Sequence, residues 1–418
     1  MTTLLEPAVR RATYREVLAD PLYRLLFVTR SLAIAADSLR ILALSVLIYT
    51  TTSSPLLGAL AFGAGFLPQL VGSTLFGSLA DRVRPRFVIF LGYAVECVSA
   101  VLLATVPLPA WACLVLVAVI ATFVPVFGGA SARVIAETLT GDAYVLGRAL
   151  SSMSSSAAQL VGLAGGGAAI AALGSPQHAL GVSAVLHAIS AIIIRLRMPN
   201  LPAVPAAEGS TGNSVMKHSW RANRTLLADW AVRRLMFAQW LPPAFSVGAE
   251  GLLVAYAGER GFPAGAAGYL MACLPVGMFA GDLVVGRFVA PRTRERLAAP
   301  LVVLLGLPLA LLGFAVPVPV AAALLFLSGA GFAYTLGLQR SFVDALPEAM
   351  RGQAFGVLGS GMMTAQGLGP AVFGAIALAT GATAAVALAG AAAAGCAVIV
   401  SVRRTRPPAA RRSSRYPG

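Results

Sequence analysis

The sequence predicts an all-α membrane protein with twelve membrane-crossing helices, and three observations support this prediction. Of its 418 residues, 58% are hydrophobic and only 11% are charged, whereas about a quarter of the residues of a soluble domain are charged. The apolar residues fall in runs close to the ~20 residues that a helix needs to cross a bilayer. The basic residues fall in the short stretches between those runs.

The apolar runs place helices along nearly the whole chain. The residues before the first run are polar and lack the apolar core and cleavage site of a signal peptide, so we expect the first helix to be retained. The predicted crossings are 22–50, 56–79, 87–106, 110–132, 148–173, 179–197, 232–257, 264–289, 297–316, 318–340, 353–379 and 381–402.

The distribution of Lys and Arg predicts the side of the membrane on which each loop lies. The formal net charge is +15, and when the N-terminus is placed inside the cell, nearly all basic residues fall in the tails and cytoplasmic loops. Arg260 is the exception outside, and Arg30 and Arg40 lie within the first crossing. Because basic loops stay cytoplasmic, we expect a multi-pass protein of the cell (inner) membrane. Both termini would be cytoplasmic, and the positive charge would contact anionic lipids rather than nucleic acid.

A linker rich in proline and glycine divides the chain into two similar halves. Gln159 and Gly162 recur at one shared offset as Gln366 and Gly369, which predicts two six-helix bundles related by an axis along the membrane normal. The predicted domains are the tail 1–21, the bundle 22–198, the cytoplasmic linker 199–230, the bundle 231–402 and the tail 403–418.

A short charged hairpin, GSLADRVRPR over residues 77–86, separates the second and third predicted crossings. It resembles motif A of the major facilitator superfamily, G-x-L-A-D-R-x-x-R-[RK], through Gly77, Asp81, Arg82 and Arg86. The resemblance implies the fold of that superfamily, with two pseudo-symmetric six-helix bundles. It also implies that the four residues form a cytoplasmic gate, in which Asp81 faces the start of the eleventh crossing.

A second resemblance covers residues 31–86, where Asp37, the turn Thr52–Pro55 and Leu67-Pro68 resemble the branch of the superfamily that contains enterobactin exporters and macrolide efflux proteins. This resemblance implies export of a small amphiphilic molecule. Two features depart from the drug/proton antiporters of the superfamily. The fourth crossing has Arg133 only at its cytoplasmic end, and the fifth lacks the Gly-Pro pair of the antiporter motif.

Charged residues within the crossings are the candidates for the site, because each costs at least ~2.5–3.5 kcal/mol to insert. Arg30, Asp37 and Arg40 share one face of the first helix, so we expect Asp37 to pair with Arg40 and reach toward Arg30. Asp37 would exchange protons or contact substrate; alternatively, the pair only holds the helix in register. The repeat places Glu250 opposite Arg40, which predicts a charge pair between the halves that forms in one transport state and breaks in the other; alternatively, Glu250 has a local structural role. Glu96 is a weaker candidate, or a neutral acid hydrogen-bonded within its half.

The remaining polar residues predict little further chemistry. Gln159 and Gln366 either donate to substrate or bond neighbouring helices, and we expect His187 to be a packed polar residue. The sequence has no Cys/His cluster and no phosphate-binding loop, so we expect no catalytic residue, no metal and no cofactor.

The predicted function is proton-coupled efflux of a small amphiphilic drug or natural product by a monomer whose halves rock about a midplane site. The charges of the candidate residues nearly cancel, which fits a neutral, zwitterionic or weakly anionic cargo. One alternative is an importer or lipid flippase on the same fold, and another is a non-transporting membrane sensor or partner protein. An enzyme is the least expected class.

Overall fold

The computed structural model describes residues 13–76, 83–202, 224, 226–263, 265–346 and 351–401, and all regular secondary structure in these ranges is helical. We number the helices in chain order. They are α1 (Tyr14–Ala19), α2 (Pro21–Thr52), α3 (Pro55–Gly63), α4 (Phe66–Phe76), α5 (Pro85–Thr105), α6 (Ala110–Thr138), α7 (Gly141–Leu173), α8 (Pro176–Arg197), α9 (Trp230–Gly251), α10 (Leu253–Glu259), α11 (Ala266–Phe288), α12 (Pro291–Leu311), α13 (Val318–Gly331), α14 (Tyr334–Ala345), α15 (Arg351–Thr380), α16 (Ala382–Gly395) and α17 (Ala397–Ser401).

Within the described residues these helices form twelve crossings, as the sequence predicts. Eight are continuous helices, and four are interrupted, which divides them into the pairs α3–α4, α9–α10, α13–α14 and α16–α17. Length and apolarity alone mark ten of the twelve. The other two are α9–α10, which is interrupted at Leu252, and α12, which begins with the charged stretch 292–296.

Local sequence signals fix several helix starts. Asp20 accepts a hydrogen bond from the backbone N–H of Tyr23 at 2.7 Å and Pro21 occupies the first turn, so α2 begins there. Asp229 caps α9 in the same way.

The fourth and fifth crossings are longer than predicted. α6 continues to Thr138 and α7 begins at Gly141, so only two residues connect them.

Within each half, the helices pack mainly against one another. In the N-terminal half α2 lies against α7 and α8, and α5 lies against α8; in the C-terminal half α11 packs on α13, α12 on α16 and α9 on α15. The halves meet where α3 and α4 contact α15 and where α7 contacts α11. Glycine allows the second contact, since a Cβ atom on Gly268 would lie only 2.6 Å from the Cα of Gly167.

The contacts between the halves concentrate at one face of the bundle. We call the face that holds the starts of α2 and α9 the chain-end face, and the opposite one the far face. Tyr49 packs against Gly258, Gly63 against Pro370, and Gly167 against Gly268, each at or toward the far-face end of its helix. A cavity lies on the chain-end side of these contacts, and both halves line it.

Candidate functional site

The site is a cavity of about 580 Å³ between α2, α4, α5, α6, α8 and α15. Its volume is in the range of small-molecule sites. Apolar side chains such as Leu70, Phe127 and Met363 form much of its wall, and a few polar groups converge on it. These polar groups are Arg30, Asp37, Gln69, Ser73, Tyr93, Glu96, Ser131, His187 and Ser360.

Four ionisable side chains from three helices form a connected network at the inner wall of this cavity. Nη2 of Arg40 lies 3.0 Å from Oδ1 of Asp37, and Nη1 of Arg40 lies 2.8 Å from Oε2 of Glu96. Nε2 of His187 lies 3.3 Å from the same Oδ1 of Asp37. The Asp37 side chain is 38% exposed, whereas those of Arg40, Glu96 and His187 are 9%, 7% and 1% exposed. Asp37 is therefore the member of the network that is most exposed to the cavity.

Serine contacts between α8 and α2 bring His187 to Asp37. Ser183 and Ser190 lie four residues before and three residues after His187, on the same helix face. The hydroxyl of Ser183 donates to the carbonyl of Ala36 at 2.8 Å, and that of Ser190 donates to the carbonyl of Thr29 at 3.4 Å. Small side chains that bond to the backbone of the partner let two helices approach closely.

The predicted pair of Asp37 and Arg40 is confirmed, and the pair of Arg40 and Glu250, predicted for one transport state, is not formed in this structure. Arg40 points into its own half, where Glu96 of α5 supplies the second carboxylate. Glu96 is therefore a partner of Arg40 within the N-terminal half. The repeat aligns helices but does not say which neighbour a long side chain reaches in a given state.

Arg30 and Glu250 have no ion-pair partner in the described part of the chain. Arg30 lines the cavity near Gly128 of α6. Because glycine has no side chain, Gly128 leaves the guanidinium of Arg30 uncovered. Glu250 is only 9% exposed. Its neighbour Gly251 packs against Phe62 and Pro370, so Glu250 lies where the halves meet.

The remaining predicted residues lie elsewhere. Neither Gln159 nor Gln366 lines the cavity, and neither makes a hydrogen bond among the residues described. Gly77, Asp81 and Arg82 of the predicted gate lie outside the described residues. Arg86, at the start of α5, donates to the backbone carbonyl of Arg195 at the end of α8.

Our prediction that His187 is only a packed polar residue missed its place in the network. A signal was present in the sequence, since Ser183, His187 and Ser190 form a polar stripe on an otherwise apolar helix. Ligand atoms of Asp37, Glu96 and His187 all lie within 4.8 Å of one another, close enough to surround a metal ion. Arg40 already contacts both carboxylates, so the arrangement is that of an ion-pair network.

The sequence profile of the Major Facilitator Superfamily matches residues 26–344 and 253–417. The chain belongs to this superfamily. Membership makes it a membrane transporter of small molecules rather than an enzyme, and agrees with the twelve crossings described above. No curated protein matches the chain, so the branch of enterobactin exporters and macrolide efflux proteins stays a prediction.

Solved structures of other transporters share the fold. The nucleoside transporter NupG is 14% identical, with a TM-score of 0.70, and the match covers 91% of this chain and 97% of that one. A bacterial homolog of the human lysosomal transporter Spinster, in an inward-facing and unoccupied conformation, is 15% identical with a TM-score of 0.64, covering 91% and 95%. The peptide transporter POT in complex with sulfate is 14% identical with a TM-score of 0.66, covering 91% and 93%.

Proposed function

We propose that this superfamily member is a secondary active transporter that exports a small amphiphilic molecule in exchange for protons. The charge distribution of the loops supports placing it in the cell membrane with both chain ends in the cytoplasm. In this transporter the two moving units would be the bundles 22–198 and 231–402, joined by the linker 199–230. Their rocking about the cavity would expose it to each side of the membrane in turn.

The observation that carries the proposal is the unequal charge of the buried network. One arginine, Arg40, faces two carboxylates, those of Asp37 and Glu96. The two carboxylates carry one negative charge more than this single guanidinium balances. A net charge in a membrane interior is costly, so one bound proton balances the site. Asp37 receives that proton from the cavity, because it alone is substantially exposed.

The packing of the halves supports a specific transport state. Because we place the chain ends in the cytoplasm, the far face is the extracellular side. The far-face contacts close that side, and the cavity lies on the cytoplasmic side of them. This is the state in which an exporter collects its cargo. Glu250, buried where the halves meet, is a second candidate for proton binding, since an ionised carboxylate without a partner is costly at such a place.

The composition of the cavity supports an amphiphilic cargo. Side chains such as Phe127, Leu70 and Met363 offer apolar contact, and Arg30 and Asp37 offer charges of both signs. One proton that crosses ~100 mV supplies about 2.3 kcal/mol. One or two exchangeable acids are therefore enough to drive modest accumulation.

A pocket at the chain-end face supports contact with anionic lipids. Arg84, Arg86 and Arg195 line it together with Phe87 and Phe90, and none of the described residues that line it is acidic. Basic pockets between helices at the cytoplasmic surface are suited to lipid phosphates. We propose that the protein is a monomer and that it binds anionic lipid at this surface pocket.

Everted membrane vesicles test the direction and the coupling. A panel of amphiphilic drugs and natural products is added outside vesicles that contain the protein, and the interior is made acidic. Export by exchange predicts accumulation that a protonophore abolishes and that vesicles without the protein lack. Accumulation only when the acid is outside indicates import, and transfer of labelled phospholipid instead of drug indicates a flippase. A blank result with every compound supports a sensor.

A further inference from the structure

We propose that Arg30 and Asp37 together select a zwitterionic amphiphile, whose anionic group binds Arg30 and whose ammonium group binds Asp37. This inference rests on the proposed function, and it names the class of cargo. Both residues lie on the cavity-lining face of α2. They are seven residues apart, so a helical rise of ~1.5 Å per residue separates their Cα atoms by about 10 Å along the helix axis.

Arg30 is available to an external anion. It is exposed to the cavity and has no ion-pair partner among the residues described. Its Nη1 atom lies beside Gly128, where even an added Cβ would stand 3.9 Å away, and Gly129 follows in the cavity wall. These glycines leave the guanidinium open to a planar, two-oxygen group such as a carboxylate, which it binds through two parallel hydrogen bonds.

Asp37 presents its second oxygen to a cation. Arg40 and His187 both contact Oδ1, and Oδ2 makes no hydrogen bond among the described residues. The side chain is 38% exposed. An ammonium group on this oxygen would balance the negative charge of the network, as a proton does. Cargo and proton would then compete for Asp37, which is the exchange that the proposed function requires.

The cavity wall between the two charged groups fits an apolar spacer. Ala33 and Ile34 lie between them on α2, and Leu70 and Met363 face the same space. A compact zwitterion such as a free α-amino acid places its charges too close together to reach both residues. The geometry therefore points to amphiphiles that carry an acid and an amine at opposite ends.

The test uses 8-aminooctanoic acid, whose extended chain separates its end groups by about 10 Å. Its carboxamide and its N-acetyl derivative each lack one charge. Binding to the purified full-length protein is measured by the protons released and by calorimetry. The wild type should prefer the zwitterion to both derivatives by ~10-fold or more, as expected for a hydrogen bond to a charged group.

Two variants and one control assign each preference to its residue. Arg30→Gln should remove the preference for acid over carboxamide and keep the preference for free over acetylated amine, and Asp37→Asn should do the reverse. Arg24→Gln is the matched control, because Arg24 lies on the same helix outside the cavity and contacts the carbonyl of Leu18. It should keep both preferences.

The inference is overturned if the wild type does not prefer the zwitterion, or if Arg30→Gln still distinguishes acid from carboxamide. That result leaves the proposed export intact when drug accumulation in acid-loaded vesicles persists. Conversely, normal binding preferences without any acid-driven accumulation would remove export and keep the paired binding groups.

Discussion

Nη1 of Arg40 on α2 lies 2.8 Å from Oε2 of Glu96 on α5, and the same guanidinium holds Asp37 at 3.0 Å. One buried cation thus pairs with two acids from different helices. The arrangement makes the loss of either acid tolerable, because the other remains paired, whereas the loss of the arginine leaves two carboxylates together.

Replacement of the arginine should therefore be more harmful than replacement of its partner acid. We expect Arg40→Gln to destabilise the protein by about 3–5 kcal/mol, the usual penalty for leaving a buried charge unpaired. Glu96→Gln should cost clearly less, and the double variant should be more stable than Arg40→Gln alone. Thermal unfolding in lipid nanodiscs measures all three. Equal losses for the two single variants would show that the ion pair does not hold these helices.

Asp37→Asn should uncouple transport from protons. The amide keeps the size of the side chain and the contact to Arg40, but it cannot exchange a proton. We expect acid-driven accumulation in everted vesicles to fall to the level of vesicles without the protein, while the variant still folds. Gln69→Ala alters a cavity residue without an exchangeable proton, so it should keep the coupling. Unchanged accumulation by Asp37→Asn would move the proton site elsewhere, with Glu250 as the next residue to replace.

The glycine contact between the halves should control the equilibrium between transport states. A side chain on Gly167 would meet the carbonyl of Gly265 at 2.9 Å and Gly268 at 3.0 Å, so Gly167→Val should prevent closure of the far face. Gly165→Val is the matched control, because a Cβ there meets nothing within 4 Å.

Cross-linking measures this effect directly. Cysteines that replace Tyr49 and Gly258, which are in contact here, should form a disulfide in the parent and in Gly165→Val. The yield should fall strongly in Gly167→Val. Equal yields would mean that the far face closes without this glycine contact.

The arginines at the start of α5 and the end of α8 should retain anionic lipid. We expect the pair of substitutions Arg84→Gln and Arg195→Gln to reduce the phosphatidylglycerol that stays bound in native mass spectrometry, because both line the pocket at this face. The matched control, Arg292→Gln with Arg296→Gln, removes the same charge from exposed positions of α12. Similar lipid loss in both double variants would indicate a general charge effect rather than a site.

The site shows how far local sequence information reaches. The spacing of Asp37 and Arg40 on one helix predicted their contact, because helix geometry places residues three apart side by side. The spacing also placed Arg30 on the same cavity-lining face. The contacts of Glu96 and His187 are between residues distant in the chain, and no local pattern states which faces of two helices meet. Glu250 was assigned to Arg40 from the repeat alone, and the two side chains are not paired in this structure.

The amino-acid sequence by itself determined the number of crossings, their approximate ends and the positions of the charges within them. It did so because a helix in lipid must be apolar over a fixed length and must satisfy its own backbone. Only the tertiary structure decided that α5 and α8 bring Glu96 and His187 to the charged face of α2, and that glycines close the halves at one end. These relationships depend on the rotation and close packing of helices against each other, which small residues far apart in sequence jointly set.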